Sequence, residues 1–131
     1  MADEEALLAA NAAYYAAFQR ADPTAMADVW AQDAVTCIHP GWMILEGRDE
    51  VLKSYRLILL NPNQDPVTAR RPVVYVDGDT ARVLCVESVG GGMLAATNLF
   101  RREGTEWKMI HHHASPIVQR MTEAPPRSRL N

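Results

Sequence analysis

Apolar positions along this chain follow a helical rhythm in the first half and an alternating one in the second. Over residues 3–21, Leu7, Ala10, Tyr14, Phe18 and Ala21 recur at the spacing that places them on one face of a helix. Asp3 is placed to cap that helix, with Glu4 and Glu5 favourable in its first turn. Asp22-Pro23 ends it, and Pro23 suits the first turn of a short second helix with Met26, Val29 and Trp30 facing inward. Residues 35–39 are rich in β-branched side chains and predict a strand. Pro40-Gly41 is a turn, and residues 42–45 predict the return strand of a hairpin. A third helix opens at Glu46-Gly47-Arg48-Asp49-Glu50, with Val51, Leu52, Tyr55, Ile58 and Leu59 as its apolar face. Residues 61–66 then carry two prolines and two asparagines, which predicts a loop.

From residue 72 the pattern predicts an antiparallel meander of four strands, over residues 72–76, 80–89, 93–102 and 106–115. Asp77-Gly78-Asp79 is the strongest hairpin signal between them. Gly90-Gly91-Gly92 reads as a flexible turn or bulge, and Pro116 stops the last strand. Helices that precede the main sheet point to an α+β domain. The domain is expected over residues 1–117, followed by a flexible polar tail over residues 118–131.

Composition narrows the function. A chain of 131 residues that is 48% hydrophobic can bury a core as one domain without disulfide or metal staples. A net charge of −3, with the basic residues scattered, argues against nucleic acid as a partner. The acidic start lacks the features of a secretory signal, and no apolar run is long enough to span a membrane. Cys37 and Cys85 lie within predicted strands, where buried free thiols and a reducing cytoplasm are expected.

The chemistry concentrates in Trp107-Lys108-Met109-Ile110-His111-His112-His113-Ala114-Ser115. Strict alternation puts His111 and His113 on one face with Trp107 and Met109, and His112 on the other with Lys108 and Ile110. His111 and His113 are therefore expected inside, as pocket-lining or core histidines, and His112 outside or at a dimer contact. On the strand over residues 80–89, Ala81, Val83, Cys85, Glu87 and Val89 form the more apolar face. Glu87 is then a carboxylate on an apolar surface. It is either a general acid or base of raised pKa, or a rim residue paired with an arginine. Asn98 lies mid-strand in apolar surroundings, as a pocket donor or a structural link. Tyr14, Phe18, Trp30 and Tyr55 are core by spacing, with the Tyr14 and Tyr55 hydroxyls available to a ligand. His39 and Trp42 flank the Pro-Gly turn, and Trp42 can stack on a flat ligand. A metal site would need a third ligand, His39 or Glu87, beside His111 and His113; neither a metal nor a cofactor is expected.

Four segments together resemble the nuclear transport factor 2-like superfamily, in its SnoaL-like branch. They are residues 14–23 with Met26 and Trp30, the hairpin around His39-Pro40-Gly41-Trp42, the helix opening at Glu46-Gly47-Arg48-Asp49-Glu50-Val51, and Ala96-Thr97-Asn98-Leu99-Phe100 followed by residues 107–115. The resemblance implies a cone, in which a strongly curved mixed β-sheet is wrapped by three N-terminal helices around a deep pocket, and homodimers formed through the sheet. It also implies functions from ketosteroid isomerisation, polyketide cyclisation, dehydration and epoxide hydrolysis to non-catalytic scaffolding, so the fold alone does not choose among them. The strands carry no central aspartate, a departure from the isomerase pattern of a base with a tyrosine and a protonated aspartate. The expectation is a small, largely apolar organic ligand and cofactor-independent acid/base chemistry of isomerase, cyclase or lyase type. Glu87, His111 and His113 would be its catalytic groups, and Tyr14, Phe18, Trp30, His39, Trp42, Tyr55 and Asn98 would contact the ligand. The alternative is a non-catalytic ligand-binding or dimeric association module.

Overall fold

A computed structural model describes residues 2–118. Its elements are α1 (Ala2–Gln19), α2 (Pro23–Val29), β1 (Thr36–Ile38), β2 (Leu45–Glu46), α3 (Arg48–Leu59), β3 (Val67–Asp77), β4 (Thr80–Val89), β5 (Gly92–Glu103) and β6 (Glu106–Pro116). One six-stranded sheet runs in the order β2-β1-β6-β5-β4-β3. It is mixed because β1 pairs with β6 in parallel while the other pairs are antiparallel. The curved sheet and the three helices form an α+β cone, as expected. The predicted tail lies, from residue 119, outside the described residues.

The helices are seated by specific contacts. Asp22 caps α2, accepting from Thr24 N and Ala25 N at 3.1 Å, with Pro23 in the first turn. Asp3 lies inside the first turn of α1 and does not cap it; its carboxylate accepts from both terminal nitrogens of Arg102 on β5. Arg48, the first residue of α3, reaches the open end of α2 and donates to the carbonyls of Ala27, Trp30 and Ala31. Those carbonyls have no partner within the short helix, so one guanidinium satisfies what α2 leaves open. Residues 42–44 do not form the predicted return strand. Trp42 N donates to His39 O in a turn, Gly41 takes φ +82°, and pairing resumes only at Leu45. Trp42, Met43 and Ile44 are left exposed.

Two bulges set which faces look inward. On β3, Arg70 pairs with Val86 and Val73 with Leu84, so Arg71 and Pro72 together oppose Cys85, with Arg71 at φ +59°. On β6, Met109 pairs with Phe100 and His111 with Leu99, so Ile110 is an extra residue. The Met109 carbonyl is taken by Ala31 N, which docks the connection after α2 against this bulge. The second bulge reverses the expected alternation. Trp107 and Met109 are buried before it, and His112 and Ala114 after it. His112 therefore faces the interior, while His111 and His113 lie on the face away from the helices. There His111 Nδ1 meets Thr36 Oγ1 at 2.6 Å. No such shift occurs at Gly90-Gly91-Gly92, where β4 and β5 stay in register to Val89 and Gly92.

Candidate functional site

Between the sheet and helices α1 and α3 lies an open cavity of about 500 Å³. Its floor is polar and buried, formed by Tyr14 of α1, His39 after β1, Glu87 of β4 and His112 of β6. Its walls are apolar, among them Phe18, Trp42, Ile58, Val89 and Leu94, and Asn61 and Gln64 stand in the loop after α3.

Glu87 and His112 are 4% and 3% exposed, with Oε2 and Nε2 3.7 Å apart. Tyr15 donates to Glu87 Oε2 at 2.6 Å and also meets Cys85 Sγ at 3.3 Å. Asn98 Nδ2 donates to Asn11 Oδ1 at 2.8 Å and to Tyr15 Oη at 3.1 Å. Asn98 Oδ1 lies 2.5 Å from His112 Nδ1. Both amide hydrogens of Asn98 are spent on Asn11 and Tyr15, so its oxygen accepts and His112 Nδ1 carries the proton. In the neutral ring Nε2 is then bare. Among the described residues the one fully enclosed side-chain polar atom without a partner is Trp30 Nε1. Glu87 Oε1 and His112 Nε2 make no hydrogen bond among the described residues, and both open onto the cavity that their residues line.

Burial dominates the protonation of the floor. It lowers His112 to about 3 and His39 to about 4, so both imidazoles are neutral near pH 7. Burial raises the Glu87 carboxyl, against the opposing hydrogen bond from Tyr15. At rest the pair is thus pushed toward an uncharged carboxyl beside an uncharged imidazole, and away from an ion pair. His39 is held in the other tautomer. Ser54 Oγ donates to Val51 O at 2.6 Å and so accepts from His39 Nε2–H at 2.8 Å. Tyr14 Oη is 2.7 Å from Tyr55 Oη, and the Tyr14 ring packs on His112 at 4.9 Å.

Of the residues expected to meet a ligand, Tyr14, Phe18, His39 and Trp42 line the cavity together with Glu87. Trp30, Tyr55 and Asn98 are buried behind that lining, so their contacts are with the protein. His111 and His113 are on the opposite face of the sheet, and His112 takes the place foreseen for them. Tyr15 and Asn11 belong to the site but lie off the apolar pattern; the signal for them is their i, i+4 spacing on α1, which gives one shared face beside the Tyr14 stripe. Among the described residues no three His, Cys, Asp or Glu side chains are grouped to hold a metal ion. No helix among them is long and apolar enough to cross a membrane.

Comparison with known proteins places this geometry in a family. The chain is similar to a proposed dehydratase of the nuclear transport factor 2-like family from Streptomyces avermitilis, at 38% identity over 90% of this chain and 98% of that one, with a TM-score of 0.80. It is similar to a proposed calcium/calmodulin-dependent protein kinase type II association domain from Thiobacillus denitrificans, at 32% identity over 83% and 93% of the two chains, TM-score 0.75. The F-box protein SKIP8 of Arabidopsis thaliana is 29% identical over 121 residues, 89% of this chain, which spans about half (52%) of that protein's length. The family profile for the SnoaL-like domain matches residues 7–119, and the chain belongs to that family, within the nuclear transport factor 2-like superfamily.

Proposed function

We propose that the protein binds a small, largely apolar organic molecule in this cavity and acts on it as a cofactor-independent acid/base catalyst, of the lyase type that removes water or of the related isomerase type. The observation that carries the reading is the pair at the cavity floor: the buried Glu87 carboxyl, whose raised pKa makes it the stronger base, and bare His112 Nε2 as an acceptor beside it, both open to a ligand. As the carboxylate, Glu87 takes a proton from carbon beside a carbonyl; as the carboxyl so formed, it gives that proton to the departing hydroxyl, which leaves as water and returns Glu87 to the carboxylate. His112 Nε2 accepts from the substrate's hydroxyl and holds it at the floor. The similarity to a proposed dehydratase supports this direction of chemistry.

The test is a β-hydroxy ketone, the aldol of benzaldehyde and acetone, incubated with the protein in D2O. Exchange at the carbon beside the carbonyl and formation of benzalacetone are followed together. Both are expected, and Glu87→Gln or His112→Gln should lower them by about 10²-fold or more. Activity that survives both substitutions, or none in the folded wild type, refutes the assignment.

A second reading, a non-catalytic association module, is favoured by the similarity to a proposed association domain. The two readings are compatible in one respect. We propose a homodimer formed through the outer face of the sheet, where Val73, Tyr75 and Met93 are exposed. A reducing cytoplasm remains our proposed compartment, on the strength of two buried, unpaired thiols.

A further inference from the structure

We infer that Asn61 and Gln64 form a second polar subsite at the mouth of the cavity, and that the ligand is an uncharged, elongated molecule with a carbonyl or hydroxyl at the floor and a hydroxyl at the mouth. This rests on the cavity being the ligand site, as proposed above.

The cavity's charge inventory selects against ions. Among the described residues no Lys or Arg lines it, and the ionisable ones that do are Glu87, Tyr14 and two histidines that burial keeps neutral. A carboxylate or phosphate entering the floor gives up water, finds no counter-charge among these residues and meets Glu87. A neutral oxygen loses little and gains the Glu87 carboxyl as donor or His112 Nε2 as acceptor.

The mouth offers a matched donor and acceptor. Asn61 Oδ1 already accepts from Asn63 N at 2.9 Å, which leaves the amide hydrogens on Nδ2 to face outward interactions. Gln64 Nε2 donates to Asp65 O at 3.0 Å, which leaves Oε1 as the unengaged acceptor. These local bonds also fix which end of each amide is nitrogen. Gln64 N donates to Asn61 O, so the two side chains belong to one turn. An amide donor on Asn61 and an amide acceptor on Gln64, both residues of the cavity lining, complement a hydroxyl, which both donates and accepts, better than an acceptor-only carboxylate.

The loop runs close to the sheet: a Cβ on Gly90, in the turn between β4 and β5, would lie 2.9 Å from the Asp65 carboxylate. Between the two polar ends the walls are apolar, and a volume of about 500 Å³ falls within the range of drug-sized sites, ~300–1,000 Å³.

The test uses the full chain at pH 7 and three probes on one frame: a naphthyl methyl ketone, the same ketone with a hydroxyl on the far ring, and the matching naphthoate. Affinities are read by calorimetry for wild type, Gln64→Ala and Asn61→Ala/Gln64→Ala, with folding checked by melting temperature. Expected is a roughly fivefold advantage for the hydroxylated ketone in wild type, as for one net hydrogen bond. It should shrink in the single variant and vanish in the double one, while the naphthoate binds at least about tenfold more weakly than the ketone. Ketone binding without a hydroxyl advantage, or an advantage that persists in the double variant, overturns the subsite and leaves the cavity reading standing. Naphthoate binding as tight as the ketone overturns the neutral-ligand rule. Failure of every probe overturns both this inference and the reading it rests on.

Discussion

His39 permits a quantitative test of the floor's electrostatics, because burial alone lowers it, from 6.5 to about 4, and it has no direct contact with Glu87. The unfolded chain binds the His39 proton first as pH falls. The stability due to its neutral folded form is therefore full above pH 6.5 and is lost as pH drops toward about 4. Each pH unit of that window is worth about 1.4 kcal/mol, so the loss reaches about 2 kcal/mol at pH 5 and about 3 kcal/mol at pH 4. His39→Gln removes this contribution while Gln can still donate to Ser54 Oγ. The variant should be less stable than wild type at pH 7, since it forfeits the ring's packing on Tyr55 and Trp42 at 4.9 and 4.8 Å. By pH 5 the gap should narrow by about 2 kcal/mol, or about 1 M in urea midpoint for a slope of ~2 kcal/mol/M. Urea unfolding at pH 7, 6, 5 and 4 reads this directly, and Glu87's opposing contribution cancels in the difference between the two proteins. A gap that stays constant with pH, or widens on acidification, refutes a buried neutral His39.

Two further outcomes concern the pair at the floor. Ring-nitrogen NMR should show His112 with hydrogen on Nδ1 and a bare Nε2, a pattern that Asn98→Asp retains and Asn98→Leu releases. Hydrogen on Nε2 in the wild type would leave no bare nitrogen at the floor to accept from a substrate hydroxyl. Tyr15→Phe removes the hydroxyl that donates to Glu87 Oε2 and holds its pKa down, so the Glu87 carboxyl band in infrared titration should move to higher pH. An unchanged or lowered midpoint would show that Tyr15 does not act on the carboxylate.

Much of the architecture is written in local pattern. The Leu7–Tyr14–Phe18 stripe, the Asp22-Pro23 boundary and the Asp77-Gly78 turn each specify their element through a few neighbouring residues. Glu87 could be placed inward because β4 alternates without interruption. The histidine run defeated the same logic because its phase is set by Ile110. Nothing local marks that residue as a bulge; the bond beside it comes from a distant amide, Ala31 N, which takes the Met109 carbonyl. Arg48 is likewise silent in sequence, since its partners are backbone carbonyls roughly twenty residues earlier. Tyr15 is inconspicuous in sequence because it sits one position off the apolar stripe, where only the far sheet reveals what its hydroxyl reaches.

The bulge at Ile110 also bears on how this chain can be matched to its relatives. A relative one residue shorter between Met109 and His112 has no bulge there, and its later residues keep the same sides of the sheet once a gap is placed at position 110. An ungapped alignment carried through from Trp107 instead equates a residue facing the cavity with one facing away from it. Position 110 is thus the place to allow a gap, and a relative of equal length shares the inward imidazole of His112 only if it also shares the bulge.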